Sequence, residues 1–118
     1  MPDNSLDVNA AAPPLACVPG AIAAGDRAAH FARAAALFTV ALRQRRTLPN
    51  GYAYRFDAES ADDLLHWIAN ERRCCPFLTF AIELAASGGP VWVSATGPDG
   101  TRTFLDAELP PVAALLRD

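Results

Sequence analysis

The spacing of hydrophobic residues changes several times along the chain, and each change predicts a different element. Apolar residues first recur at helical spacing, which predicts a helix that is N-capped by Asp26 and ends near Phe38. Its broad apolar side is formed by Ala29, Phe31, Ala32, Ala35, Ala36, Leu37 and Phe38. Residues 39–45 then move toward alternation and predict a strand, with continuation of the helix as the alternative.

A tight turn and the clearest strand pattern of the chain follow. Pro49-Asn50-Gly51 predicts the turn, because asparagine and glycine tolerate positive φ and proline fixes the entry angle. Residues 52–57 alternate strictly and place aromatic side chains on one face, as in a half-buried strand. These aromatic residues are Tyr52, Tyr54 and Phe56.

The second half of the chain repeats this order of helix and hairpin. Ser60 is a good N-cap for a helix that Pro76 ends, because proline disfavours the helical region for the residue before it. The predicted inner side of this helix carries Leu64, Leu65, Trp67, Ile68 and Cys75. Residues 77–85 and 91–96 alternate around a Ser-Gly-Gly-Pro turn and predict a second hairpin. A short helix over residues 101–109 and a last helical turn over 112–116 complete the pattern.

These elements predict an α+β two-layer sandwich in the order α-β-β-α-β-β-α. Two hairpins separated by a helix most simply form one antiparallel sheet of about four strands, covered by helices on one face. A chain of 118 residues is long enough for one domain. We assign that domain to residues 16–118, and we read residues 1–15, which have few large hydrophobic residues and contain Pro13-Pro14, as a flexible N-terminal arm.

The overall charge narrows the range of partners. A net charge of -3 and a pI near 5.2 argue against binding to nucleic acid or to anionic membranes, since both require a clustered basic surface. No run of apolar residues is long enough to predict a transmembrane helix, and the N-terminus lacks the pattern of a secretory signal. The sequence therefore predicts a cytoplasmic protein.

The cysteines are the one local group that suggests chemistry. Cys74 and Cys75 lie at the end of the second predicted helix, and adjacent cysteines do not easily form a disulfide with each other. In a cytoplasmic protein all three cysteines are expected to be reduced. Cys17 is the candidate third thiolate, and such a set suits Hg(II), As(III), Cu(I) or, with a further histidine or carboxylate, Zn(II).

The expected electrostatics around these thiols favour binding over catalysis. A helix C-terminus raises a thiol pKa, whereas Arg72 and Arg73 act in the opposite direction, so we expect no strongly activated nucleophile. A bound ion displaces the thiol protons itself. Glu71, Arg73 and His66 are weaker candidates for residues around the ligands. His30 is interpreted as a surface or edge residue.

Other interpretations of the cysteines stay open. The thiols can be structural, since free cysteine is commonly buried, in a non-catalytic interaction or small-ligand-binding module, with a homodimer as one form of it. A redox or thiol-transfer role is a third interpretation. No Ser-His-Asp order, HExxH motif or phosphate-binding loop occurs, so the sequence gives little basis for an enzyme.

The segment Glu71-Arg-Arg-Cys-Cys-Pro-Phe77 and the later Gly97-Pro-Asp-Gly100 turn resemble a family of small, mostly uncharacterised bacterial proteins. Members carry an ErrCCPF-type signature followed by a GPxG turn, and some accompany heavy-metal or mercury resistance. The similarity covers about residues 15–109. The resemblance implies that Cys17, Cys74 and Cys75 are shared family cysteines with a thiol-ligand role, and it implies no catalytic residue.

Overall fold

The computed structural model describes residues 15–109, which form three α-helices and one four-stranded antiparallel sheet. The helices are α1 (Ala24–Ala36), α2 (Ala61–Cys74) and α3 (Thr101–Glu108). The strands are β1 (Leu42–Leu48), β2 (Gly51–Phe56), β3 (Thr79–Leu84) and β4 (Val91–Thr96). Shorter helical turns are Pro19–Ala21, Leu37–Ala41, Ala58–Ser60 and Ala86–Gly88, of which Leu37–Ala41 is π-helical.

The predicted α+β class and the predicted order of helices and strands are confirmed. Residues 1–14 of the predicted arm and the predicted helical turn at 112–116 lie outside the described residues. Between residues 15 and 109, no helix combines the length and the apolar character needed to cross a membrane.

The sheet has the strand order β1-β2-β4-β3, so the two predicted hairpins meet along β2 and β4. Strict alternation along these two central strands buries one face of each. The buried set is Tyr52, Tyr54, Phe56, Val91, Val93 and Ala95. The helical layer packs on this face, because the fully buried ring of Phe38 contacts the rings of Tyr54 and Phe56 and also that of Trp67 on α2.

The predicted inner side of the first helix is confirmed at Leu37 and Phe38, just after α1, whereas α1 itself faces the core with a different side from the predicted one. His30 is 1% exposed, whereas Phe31, assigned to the apolar side, is 43% exposed. The alanines bury little area each, so they do not determine which side faces inward. The core-facing positions instead follow His30, Ala34 and Leu37, at helical spacing.

The connection between α1 and β1 follows the alternative interpretation, continuation of the helix, over residues 39–41. A π-helical turn occupies Leu37–Ala41, and the strand begins at Leu42 instead of residue 39. Val40, which the alternation placed on the same face as Leu42, is 72% exposed while Leu42 is 8% exposed. The extra turn of helix changes the direction of the side chains before the strand begins.

Gly51 is required at the first hairpin, but not because of a positive φ, as the turn pattern predicted. The residues with positive φ among those described are Ser87, Gly88 and Gly100, so Gly51 does not use the left-handed region. Gly51 pairs instead as the first residue of β2, where an added Cβ would overlap the backbone carbonyl of Ala95. The close approach of β4 therefore excludes a side chain at this position.

Replacing Gly51 by alanine is expected to lower the free energy of unfolding by about 1–3 kcal/mol, the usual cost of overpacking. Gly25→Ala is the matched control, because Gly25 lies in α1 with nothing within 4 Å of an added Cβ and alanine favours helix. The control should be neutral or slightly stabilising in guanidinium chloride unfolding. Equal effects of the two substitutions would contradict the role of close strand approach at Gly51.

Candidate metal centre

The end of α2 buries two adjacent cysteines. The helix ends at Cys74, and Cys75 has non-helical backbone angles while its N–H still donates to the carbonyl of Glu71 at 2.7 Å. Pro76 follows, as expected for a helix stop. The Cys75 carbonyl then accepts from the Leu78 N–H at 3.1 Å, which turns the chain toward β3. Cys74 is 1% exposed and Cys75 is fully buried.

The segment before α1 brings Cys17 to the same place. The Val18 N–H donates to the carbonyl of Cys74 at 2.6 Å, which joins this segment directly to the end of α2. Pro19–Ala21 then forms a short helical turn, and Ile22 packs into the core at 1% exposure. Cys17 itself is half-buried and packs against the core. The sequence did not predict this backbone bond, because it joins residues far apart in the chain.

The three sulfur atoms lie within 4.8 Å of one another. Around an ion with metal–sulfur bonds of about 2.3 Å, trigonal or tetrahedral sulfur ligands lie about 4 Å apart. Cys17 and Cys75 are at disulfide-bonding distance with their Cα atoms 4.5 Å apart, and Cys74 is a free buried thiol. The expectation that all three cysteines are reduced therefore differs from the structure, which pairs two of them.

A buried carboxyl and a buried histidine extend the site into the protein. Oε2 of Glu71 lies 3.3 Å from the Cys75 sulfur, at a distance where it can accept a hydrogen bond from the thiol. A hydrogen bond of 2.9 Å joins the other oxygen of Glu71, Oε1, to Nε2 of His30. Glu71 is 5% exposed and His30 is 1% exposed. The three side chains therefore form a continuous buried row from α1 to the thiol.

Burial shifts the pKa of each titratable group in this row. Burial, assisted by the charge of Glu108, raises the pKa of the Glu71 carboxyl to about 7. Burial lowers the pKa of His30, and Arg33 and His66 act in the same direction. Burial also raises the pKa of the Cys74 thiol, with Glu71 adding to the effect. Near neutral pH His30 is therefore neutral, and Cys74 is a protonated thiol instead of an activated nucleophile.

The weaker candidates around the cysteines differ in burial and in their contacts with the site. Glu71 lies beside the Cys75 sulfur, and its other carboxylate oxygen is hydrogen-bonded to His30. Arg73 and His66 are exposed on α2, and within residues 15–109 neither forms a hydrogen bond or an ion pair. The charge of His66 is the smallest of the three causes that lower the pKa of His30.

His30 is the residue that sequence reasoning missed. The interpretation of His30 as a surface or edge residue was wrong, because α1 presents it to the core. The spacing of His30, Ala34 and Leu37 was the available signal, since it places the histidine in line with the buried leucine. A histidine in such a position requires a polar partner, and Glu71 is that partner.

Replacing Glu71 by glutamine should remove a pH-dependent part of the stability. The raised pKa means that the folded protein binds more protons than the unfolded chain between pH 4.5 and about 7. The contribution of Glu71 to stability is fully present below pH 4.5 and is lost as the pH rises through about 7. At 1.36 kcal/mol per pKa unit, the loss is about 3 kcal/mol.

This prediction is checked by unfolding both proteins in guanidinium chloride at several pH values, with the cysteines kept in one oxidation state. His30 is present in both proteins, so its opposite contribution largely cancels in the difference. The stability advantage of the native protein over Glu71→Gln should shrink as the pH rises. An advantage that stays constant from about pH 5 to pH 8 would contradict a raised Glu71 pKa.

Together, the fold and the site define an α+β protein with a three-cysteine cluster, in which the sulfur atoms lie within 4.8 Å of one another and two of them are at disulfide-bonding distance. No family model matches the chain, and neither a curated protein nor a solved structure matches it.

Proposed function

We propose that this protein binds one soft metal or metalloid ion through the thiolates of Cys17, Cys74 and Cys75. The observation that carries the proposal is the gathering of three sulfur atoms within 4.8 Å of one another. Two of these cysteines end a helix and the third comes from a separate segment, a typical way to build a ligand set from distant parts of a chain.

The donor set favours ions that accept two or three sulfurs. In residues 15–109 the donor atoms that all lie close to one another come from three cysteines alone, and Glu71, which contacts the Cys75 sulfur, is not part of this group. As(III), Hg(II) and Cu(I) are satisfied by such a set, whereas Zn(II) would need a fourth ligand from solvent. Thiolates select these soft ions over the hard cations that prefer oxygen.

Burial of Cys74 agrees with a role as an ion ligand and not as a nucleophile. The raised pKa of Cys74 means that this thiol stays protonated near neutral pH until an ion displaces the proton. Cys74 and Cys75 belong to the hydrophobic core, where water is excluded and charge interactions are stronger. A positive ion there compensates the thiolate charges that the core would otherwise destabilise.

The resemblance of the Glu71–Phe77 signature to bacterial proteins that accompany heavy-metal resistance points in the same direction. It remains a prediction about family membership. The second candidate is a structural role for the cysteines, in a non-catalytic interaction or small-ligand-binding module, for which a homodimer is one proposed form. The disulfide distance between Cys17 and Cys75 is the observation that favours it.

Native mass spectrometry of the fully reduced protein with arsenite separates the two candidates. Three thiols that share one As(III) displace three hydroxide groups as water, so the adduct gains one arsenic atom and loses three hydrogen atoms. We expect one such adduct per chain and none after the thiols are alkylated. A protein that gains no arsenic, or an adduct unaffected by Cys74→Ser, would contradict the three-thiolate site and favour the structural role.

A further inference from the structure

One sulfur atom of the cluster takes part in two arrangements that exclude each other. Cys75 lies at disulfide-bonding distance from Cys17, and it is also one of the three sulfurs gathered for an ion. A sulfur in a disulfide has no thiolate charge and is not a strong ligand for a soft ion. The cluster can therefore hold either the Cys17–Cys75 bond or the three-thiolate ion.

The two ends of the bond differ in their access to solvent. Cys17 is half-buried on the segment before α1, whereas Cys75 is fully buried behind the end of α2. Thiol–disulfide exchange requires a thiolate to reach a disulfide sulfur directly. Of the two residues, Cys17 is therefore the one that an external thiol reaches more readily, which makes Cys75 the leaving group.

The backbone keeps the cysteines together when the bond is open. The Val18 N–H donates to the carbonyl of Cys74 at 2.6 Å, next to both cysteines, and this hydrogen bond does not depend on the disulfide. Ile22, at 1% exposure, anchors the same segment in the core. On the other side, Oε2 of Glu71 is 3.3 Å from the Cys75 sulfur and can accept a hydrogen bond from the released thiol. Reduction therefore leaves three thiols close to one another.

We propose that the Cys17–Cys75 pair is a reversible disulfide, reduced by a dithiol that attacks Cys17, and that this reduction opens the ion site. The reversible disulfide does not depend on the proposed function, whereas the opening of the ion site rests on it. The bond thus makes ion uptake depend on the redox state of the surroundings.

The exchange has two balanced steps. One thiolate of the dithiol attacks the sulfur of Cys17, forms a mixed disulfide and releases Cys75, which takes up a proton. The second thiol of the reductant then loses its proton and attacks the reductant's own sulfur in the mixed disulfide. This step closes a cyclic disulfide within the reductant. Cys17 is released and takes up a proton. In sum, two electrons and two protons pass from the dithiol to the two cysteines.

The first test is to equilibrate the protein with mixtures of reduced and oxidised dithiothreitol and to count free thiols by alkylation and mass spectrometry. We expect a single two-electron transition between a form with one free thiol and a form with three. Cys74→Ser should keep this transition at the same midpoint, and Cys17→Ser should abolish it. Three free thiols in the native protein throughout, or a transition that Cys74→Ser abolishes, would overturn the assignment of a reversible Cys17–Cys75 bond.

The second test compares arsenite binding by the two forms after the dithiol has been removed under anaerobic conditions. We expect the oxidised form to bind at least 100-fold more weakly than the reduced form, and a cycle of oxidation and reduction to restore binding. Equal binding by both forms would overturn the gating but leave the proposed function standing. A reduced form that binds no arsenite would overturn both the proposed function and the gating. The thiol count of the first test would still show whether the Cys17–Cys75 disulfide is reversible.

Discussion

Cys75→Ser is expected to weaken arsenite binding by the reduced protein by more than about 100-fold. Mutation of a residue that only contacts a metal ligand already lowers metal affinity by about 10–100-fold. Loss of a ligand itself should exceed that range. A hydroxyl is a poor ligand for a soft ion, so the serine does not replace the thiolate. Because the three sulfurs share one ion in this account, Cys17→Ser and Cys74→Ser should have effects of similar size.

The controls for this series lie on the same helix. Arg73→Ala and His66→Ala change exposed side chains of α2, and neither residue forms a hydrogen bond or an ion pair within the described part of the chain. Both variants should bind arsenite with the native affinity. The measurement is competition with a small dithiol of known arsenite affinity. A series in which one cysteine variant binds like the native protein would reduce the site to two sulfurs.

Reduction of the Cys17–Cys75 disulfide is expected to lower the free energy of unfolding by about 4 kcal/mol. The cysteines are 58 residues apart in sequence, and a cross-link over a loop of this length restricts the unfolded chain by about that amount. This loss is large against a typical domain stability of about 5–15 kcal/mol. Unfolding in guanidinium chloride with and without reductant measures it.

Two variants serve as controls for the effect of the reductant. Cys17→Ser cannot form the bond, so its stability should not respond to reductant and should lie near that of the reduced native protein, since Cys17 is half-buried. Cys74→Ser retains both bonded cysteines and should lose as much stability on reduction as the native protein does. If the native protein and Cys17→Ser responded alike to reductant, the disulfide would have no part in stability.

The sheet could be predicted from the sequence because its central strands have large residues at strict alternation. Tyr52, Tyr54 and Phe56 bury one face of β2, and the valines of β4 do the same. Such side chains leave one way to orient each strand. The class of the fold and the order of its elements follow from these patterns and from the proline after α2.

Helix α1 could not be oriented in the same way. Seven alanines among its 13 residues give no preferred inner side, since each alanine buries little area. Orientation is decided instead by a few larger residues and by a polar contact, the hydrogen bond between His30 and Glu71. Such a contact joins residues 41 apart in sequence, and spacing along one element does not reveal it.

The candidate site was predictable in its cysteines but not in its oxidation state or its surroundings. Cys17, Cys74 and Cys75 were selected because adjacent thiols suggest a shared ion, and the structure brings all three together. The disulfide distance between two of them depends on how the segment before α1 packs against α2, which local patterns do not specify. The predicted helix C-terminus was correct, but the pKa of Cys74 is raised mainly by burial, which the sequence did not indicate.

The most direct test of the three-thiolate site is X-ray absorption at the arsenic edge, recorded on the one-to-one arsenite adduct of the reduced protein. We expect three sulfur neighbours around arsenic and no oxygen, because Cys17, Cys74 and Cys75 all lie within reach of one ion. Cys74→Ser should change this to two sulfurs and one oxygen. Two sulfurs and an oxygen in the native protein would contradict the account.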